Sequence, residues 1–176
     1  MSPSEIKSQI ERATNIRNLC VRFNNFEAWI DADEYADTIS MADFLEFHCD
    51  LTEEQAKNLV DGDFIFVHAE GLAAKFIKND CFDKLGYENA SIFALNSSDE
   101  AAIAGLSIGI DPNKLSDAYV GQYDNFEAFV EERWDEQNPE LPEYIRRYIS
   151  YEAIATDWKA CGDFSEVDGY VFANTA

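Results

Sequence analysis

Five carboxylates on one predicted helix are the residues of this chain whose spacing points to chemistry. Glu127, Glu131, Glu132, Asp135 and Glu136 fall within Asp124–Gln137, where Phe126, Phe129, Val130 and Trp134 form an apolar stripe. The pairs 127/131, 131/135 and 132/136 are four residues apart. On a helix such neighbours lie about 5–6 Å apart, and like charges there cost a few tenths of a kcal/mol per pair. Only Arg133 interrupts the acid. Asp124 and Glu127 have capping-box form and complement the positive end of the helix dipole, whereas Asp135 and Glu136 stand near its negative end. A helix selected for stability alone would alternate signs. This one offers negative charge at short spacing, as a nucleic-acid backbone does, and its natural receptor is a cationic groove that grips DNA.

The pattern spreads. Asp31, Asp33, Glu34 and Asp37 form a second cluster, which Asp43, Glu46, Asp50, Glu53 and Glu54 continue. Across 176 residues, 35 acids face 13 Lys and Arg, a formal net charge of −22. Small domains are soluble at a net charge of magnitude about 2–8, and excess beyond that opposes compactness through self-repulsion. A solvated acidic face without a role explains one helix. The general acid excess of a halophile's surface is the wider alternative, but here the excess is patchy. Met1–Arg22 has net charge +2, Phe23–Ala74 −12, Lys75–Lys114 −2 and Leu115–Ala176 −10.

Other chemistries fit less well. Asp31-x-Asp33-x-Tyr35 opens like a calcium loop, but Ala36 replaces the turn glycine and Ala42 the bidentate glutamate. His48, Cys49 and His68 would ligate zinc only if the fold gathered them; a core cysteine and satisfied histidines are the plainer reading. There is no P-loop, dinucleotide fingerprint or nucleophile elbow, and two histidines leave little material for a triad. The expectation is a non-enzymatic protein without cofactor or metal.

Hydrophobic content of 47% and aromatic content of 14% can build real cores, so the charge does not imply disorder. No apolar run approaches the roughly 18 residues of a membrane span, and Met1–Arg22 lacks a signal-peptide core. Cys20, Cys49, Cys81 and Cys161 are far apart with no C-x-x-C; they read as reduced thiols in a cytoplasmic protein, mostly buried. The acidity disfavours direct binding to nucleic acid or to anionic membrane.

The elements that must position the carboxylates are read from caps and periodicity. Helices are expected over Glu5–Ala13, Asn24–Ile30, Ser40–Phe47, Glu53–Val60, Leu72–Leu85, Ser98–Ser107, Asp124–Gln137, Pro142–Ile149 and Ser150–Lys159. Strands are expected over Leu19–Phe23, Asp63–His68 (Phe64, Phe66 and His68 on one side), Ala90–Leu95 and Ala118–Tyr123. Phe164–Val167 and Tyr170–Phe172 form a hairpin across Asp168-Gly169. The segment Asn24–Ile30 echoes Asp124–Val130, a weak internal repeat. The whole reads as an α+β chain of two to three small domains with an acidic surface: 1–74, 75–114 and 115–176, the last with a helix pair and a hairpin.

The C-terminal third resembles the ArdA antirestriction family. The matching runs are Asp117-Ala118-Tyr119-Val120-Gly121-Gln122-Tyr123-Asp124-Asn125-Phe126-Glu127, then Pro142-Glu143-Tyr144-Ile145-Arg146-Arg147-Tyr148-Ile149-Ser150-Tyr151-Glu152, then Phe164 to Phe172. The resemblance implies an elongated, curved protein of small α+β domains that dimerises through its C-terminal domain. It implies a mimic of B-form DNA that occupies the DNA groove of type I restriction–modification enzymes, encoded on mobile genetic elements. By matching motif it places Asp124, Glu127, Glu131, Glu132, Asp135 and Glu136 on the mimic surface. Tyr144, Tyr148, Ile149 and Tyr151 are then candidates for the fold or the dimer interface. Two other classes compete: an acidic module or adaptor that binds another basic DNA-binding protein, and an ordinary enzyme from a high-salt organism.

Overall fold

The structure, a computed structural model, describes residues 1–174; the last two residues of the expected 115–176 domain lie outside them. The architecture is α+β, with helices around small antiparallel sheets. Contacts divide the chain into two compact units, Met1–Ile103 and Ala104–Ala176.

In the first unit, α1 (Pro3–Ala13) starts at a capping box between Ser2 and Glu5 and packs against the sheet. Strands β1 (Leu19–Phe23) and β2 (Phe26–Ile30) form a hairpin, followed by helices α2 (Ala32–Ala36), α3 (Met41–Phe47) and α4 (Glu53–Val60) and strand β3 (Phe64–Ala69). The sheet order is β2-β1-β3, all antiparallel. Leu19, Val21 and Phe23 of the central strand face the core with Ala28, Ile30, Phe66 and Ala69.

Residues 24–30 are therefore a turn and a strand, not the expected helix. Phe23 pairs with Phe26 across a two-residue turn, and Asn24 takes a positive φ of 23°, which Asn tolerates better than most residues. Ala28 and Ile30 go inward while Glu27 points out to Arg22 at 2.7 Å. A bulge in β3 also changes the expected side assignment: Phe64 and Phe66 share the core face, but the extra residue turns His68 to the other face, edge-on to Trp29.

Beyond β3 the expected helix–strand order is inverted. A 3-10 segment, Gly71–Phe76, leads into a ribbon of β4 (Ile77–Lys78) and β5 (Cys81–Phe82). Asn79 and Asp80 form its turn, both with positive φ. Helix α5 (Lys84–Asn96) covers the expected strand 90–95, and the Asp83 carboxylate caps it at the Gly86 amide, 3.0 Å away. Gly86 sits inside the first turn because Phe76 and the capping carboxylate leave no room for a Cβ there. Phe82 and Tyr87 join Tyr35, Phe66 and Phe76 in one aromatic cluster. Residues 75–103, which the charge blocks set apart as the start of a middle domain, thus pack within the first unit. Its boundary falls inside α6 (Asp99–Ser107).

In the second unit a 3-10 turn, Pro112–Lys114, precedes α7 (Leu115–Ala118), β6 (Tyr119–Gln122), α8 (Phe126–Gln137), α9 (Glu143–Arg146), α10 (Tyr151–Cys161), β7 (Phe164–Val167) and β8 (Tyr170–Ala173). The sheet order is β6-β8-β7. The β7–β8 turn has positive φ at both Asp168 and Gly169, the twist-matched geometry of a two-residue hairpin. Helices α8 and α10 pack together, and Phe129 is the hub, with its ring 5.0 Å from Phe164, 5.2 Å from Tyr123 and 5.9 Å from Trp158. Of the four thiols, Cys20 and Cys49 are buried, but Cys81 and Cys161 are exposed.

Candidate acidic interface

Helix α8 is held by its apolar side. Phe126, Phe129 and Val130 are buried with Ala155 and Val171. The cap is Asn125, one residue later than expected, whose side chain accepts from the Ala128 amide at 3.0 Å. Asp124 therefore precedes the helix and is exposed. The anchored stripe leaves Glu127, Glu131 and Glu132 facing solvent, and among the described residues no ion pair engages them.

The last turn behaves differently. Glu136 is bridged by Arg133 at 3.0 Å. Asp135 is half-buried, paired with Arg146, and accepts the Tyr151 hydroxyl at 3.1 Å. Arg146 also donates to the carbonyls of Leu141 and Asn138 at 3.2 and 3.1 Å. Asp135 thus ties α8 to the 138–146 loop and to α10, and burial together with this bond pushes the Tyr151 hydroxyl up in pKa. The two acids at the disfavoured end of the dipole, the most telling in the sequence, are matched with arginines.

The first unit sorts its acids in the same way. Asp31 is only 4% exposed and caps α2, accepting from the Asp33 amide at 2.9 Å. Asp33 accepts from the Tyr87 hydroxyl at 3.0 Å and the Ser91 hydroxyl at 2.8 Å. Glu34 is partly buried with one carboxylate oxygen lacking a hydrogen-bond partner, and desolvation, with Asp31 nearby, raises its pKa. Asp43 bonds the capping Ser40 hydroxyl at 2.6 Å, and Glu46 is half-buried. Glu53 and Glu54 are exposed in the first turn of α4, where the helix dipole already favours acid. Asp37 and Asp50 are exposed.

Two acids left out of the expected surface, Glu152 and Asp157, are exposed on α10, which packs beside α8. Their signal was periodic rather than clustered: they flank the apolar stripe of Ile154, Ala155 and Trp158. Tyr144 and Tyr148 are exposed, Tyr148 at 87%. Ile149 is half-buried, and Tyr151 is engaged by Asp135.

The zinc and calcium candidates have other surroundings. His48 stacks on Phe44, and burial pushes the Cys49 thiol up to about 12. Among the described residues no group of three or more His, Cys, Asp or Glu is placed to hold a metal ion, and no helix is long and apolar enough to cross a membrane. Charge is shared between the units: 20 acids against 8 bases in Met1–Ile103, net −12, and 15 against 5 in Ala104–Ala176, net −10.

The family model described as antirestriction protein (ArdA) matches residues 2–172, which extends the likeness of the C-terminal third to nearly the whole chain. No curated protein matches.

Proposed function

The chain belongs to the ArdA antirestriction family, and from that premise we propose that it imitates B-form DNA and competes for the DNA-binding groove of type I restriction–modification enzymes. It acts as an inhibitor rather than a catalyst, in the cytoplasm of a cell receiving a mobile element. The supporting observation is the row Glu127, Glu131 and Glu132. It is held on a helix anchored by Phe126, Phe129 and Val130, against its own repulsion, while Asp135 and Glu136 are matched with arginines. The remaining mimic surface is Asp124 in the second unit and Asp37, Asp50, Glu53 and Glu54 in the first. Asp31, Asp33, Asp43 and Asp135 hold the fold. The active form is a homodimer through the exposed face of Tyr144 and Tyr148.

A cationic groove attracts such a surface from a distance, so association is steered and screened by salt. In a competition assay between this protein and DNA for a type I enzyme, raising salt from about 50 to 200 mM should cut the protein's affinity steeply. An affinity unchanged by salt would overturn the proposal.

A further inference from the structure

Helix α5 is apolar on two sides. Its inner side, Tyr87, Ala90 and Phe93, is buried in the core of the first unit. On its outer side Leu85, Ile92 and Leu95 are 68%, 53% and 84% exposed. Their spacing of seven and three residues puts them on one stripe about 15 Å long, which the exposed Glu88 interrupts between Leu85 and Ile92, so that Ile92 and Leu95 form its continuous apolar end. The core does not use it.

Leu95 forms a ridge between two depressions of about 390 and 410 Å³. Asp33 and Ser91 line both, Asp37 and Glu88 flank one, and Glu70 and Asp99 flank the other. Among the described residues no lysine or arginine lines either depression. The cation on the helix, Lys84, donates to the Thr38 carbonyl and lies over the Tyr35 ring, near enough to Glu88 and Asp37 to feel both, but five carboxylates line the two depressions against this one cation. The surface is thus an apolar ridge within an acidic rim.

We infer that this ridge docks a basic amphipathic helix of a partner protein, one with apolar residues along one face and Lys or Arg on its flanks. Charge complementarity selects that occupant. Apolar side chains would fill the two depressions while flanking cations met Asp37, Glu88 and Asp99. A second copy of this chain laid face to face would bring those carboxylates against their own equivalents, a like-charge contact that costs affinity. Nucleic acid is repelled by the same rim. DNA carries no apolar ridge, so Ile92 and Leu95 are not explained by imitation of a polyanion, although Asp37 of the rim is shared with the proposed mimic surface; the apolar contact confers affinity that salt does not erase.

The test uses the purified full chain and a fluorescent 18-residue peptide of Leu and Lys with its leucines on one helical face. A control peptide of the same composition has them scattered. By fluorescence anisotropy the amphipathic peptide should bind at least about tenfold more tightly than the scattered one, at 150 and at 500 mM salt. Ile92→Gln/Leu95→Gln should remove that preference, and because both side chains are exposed its thermal melt should match the wild type. Equal binding of the two peptides, or a preference retained by the double variant, would overturn the inference. Self-association of the wild type that the double variant abolishes, seen by sedimentation, would also overturn it, since a second copy would then cover the face. No restriction enzyme enters the assay, so its failure is separate from failure of the DNA-mimic proposal.

Discussion

Replacing Glu131 and Glu132 with glutamine should make the protein more stable and a worse inhibitor. The double variant removes three i,i+4 like-charge pairs: 127/131, 131/135 and 132/136. Each costs about 0.2–0.5 kcal/mol in an isolated helix. Two of the three are already relieved, because Arg146 holds Asp135 and Arg133 holds Glu136. The expected gain is therefore nearer about 0.5 kcal/mol than the full sum. Gln and Glu have similar helix propensity, and both side chains are exposed, so neither propensity nor packing confuses the comparison. With a urea slope of about 1–3 kcal/mol/M, the denaturation midpoint should rise by a few tenths molar. Inhibition of DNA binding by a type I enzyme should weaken by roughly tenfold, about 1.4 kcal/mol, at low salt, and the deficit should shrink as salt screens the lost charges. The opposite signs are the diagnostic. Unchanged inhibition would remove α8 from the interface, and stability that fell together with inhibition would refute the reasoning about repulsion.

Asp135→Asn leaves Arg146 without its carboxylate and weakens the Tyr151 bond. Hydrogen bonds to charged groups contribute about 1.5–3 kcal/mol, but the Asp135 side chain is 38% exposed, and screening reduces this to about 1 kcal/mol; the urea midpoint should fall, and an unchanged midpoint would make the pair decorative. Glu34→Gln tests the partly buried carboxylate. Because burial raises its folded pKa above the ordinary value of 4.5, the folded state holds the proton more tightly, and stability is lost as pH rises through that raised value. The variant should melt higher than wild type at pH 7, with the difference vanishing below pH ~4.5; a difference that grew toward acid would reverse the assignment. Tyr148→Glu should convert the proposed dimer to monomer in sedimentation while leaving the circular-dichroism spectrum unchanged, since Tyr148 is 87% exposed in the chain, and a persisting dimer would move the interface elsewhere.

Where one local signal dominated, the fold was legible. The expected helix Glu53–Val60 opens at a capping box of Thr52 and Gln55, Ser40 and Ser150 cap α3 and α10, and Asp168-Gly169 makes the expected hairpin. Between residues 72 and 96 two signals conflicted. The expected helix ended at Leu85, just before Gly86, and Ala90–Leu95 read as a strand, its outer residues being as apolar as its inner ones. The spacing of Tyr87, Ala90 and Phe93 was the helical clue. The charge of the site was equally plain, but its division of labour was not. That Asp31 is a buried cap and that Asp135 takes Arg146 are facts of tertiary packing, and a run of acids looks the same whether its members face water or an arginine.

The echo between residues 24–30 and 124–130 shows why charge alone does not define the surface. Both runs share Asn-Phe-Glu-Ala, then an aromatic and a β-branched residue. In the first, an alternating strand precedes the run, Asn24 accepts a positive φ, and β1 offers its edge, so the segment becomes β2 and Glu27 is spent on Arg22 across the ladder. In the second, Asn125 caps and the sequence continues with seven helix-forming or polar residues to Gln137, so the segment propagates as α8 and Glu127 stays in water. Nucleation is costly and propagation cheap, so the residues downstream of the shared run decide its fate as much as the run itself. The same glutamate is a ladder partner in one unit and an exposed anion in the other. An acid is free for the proposed interface only where the fold beneath it leaves the carboxylate without a partner.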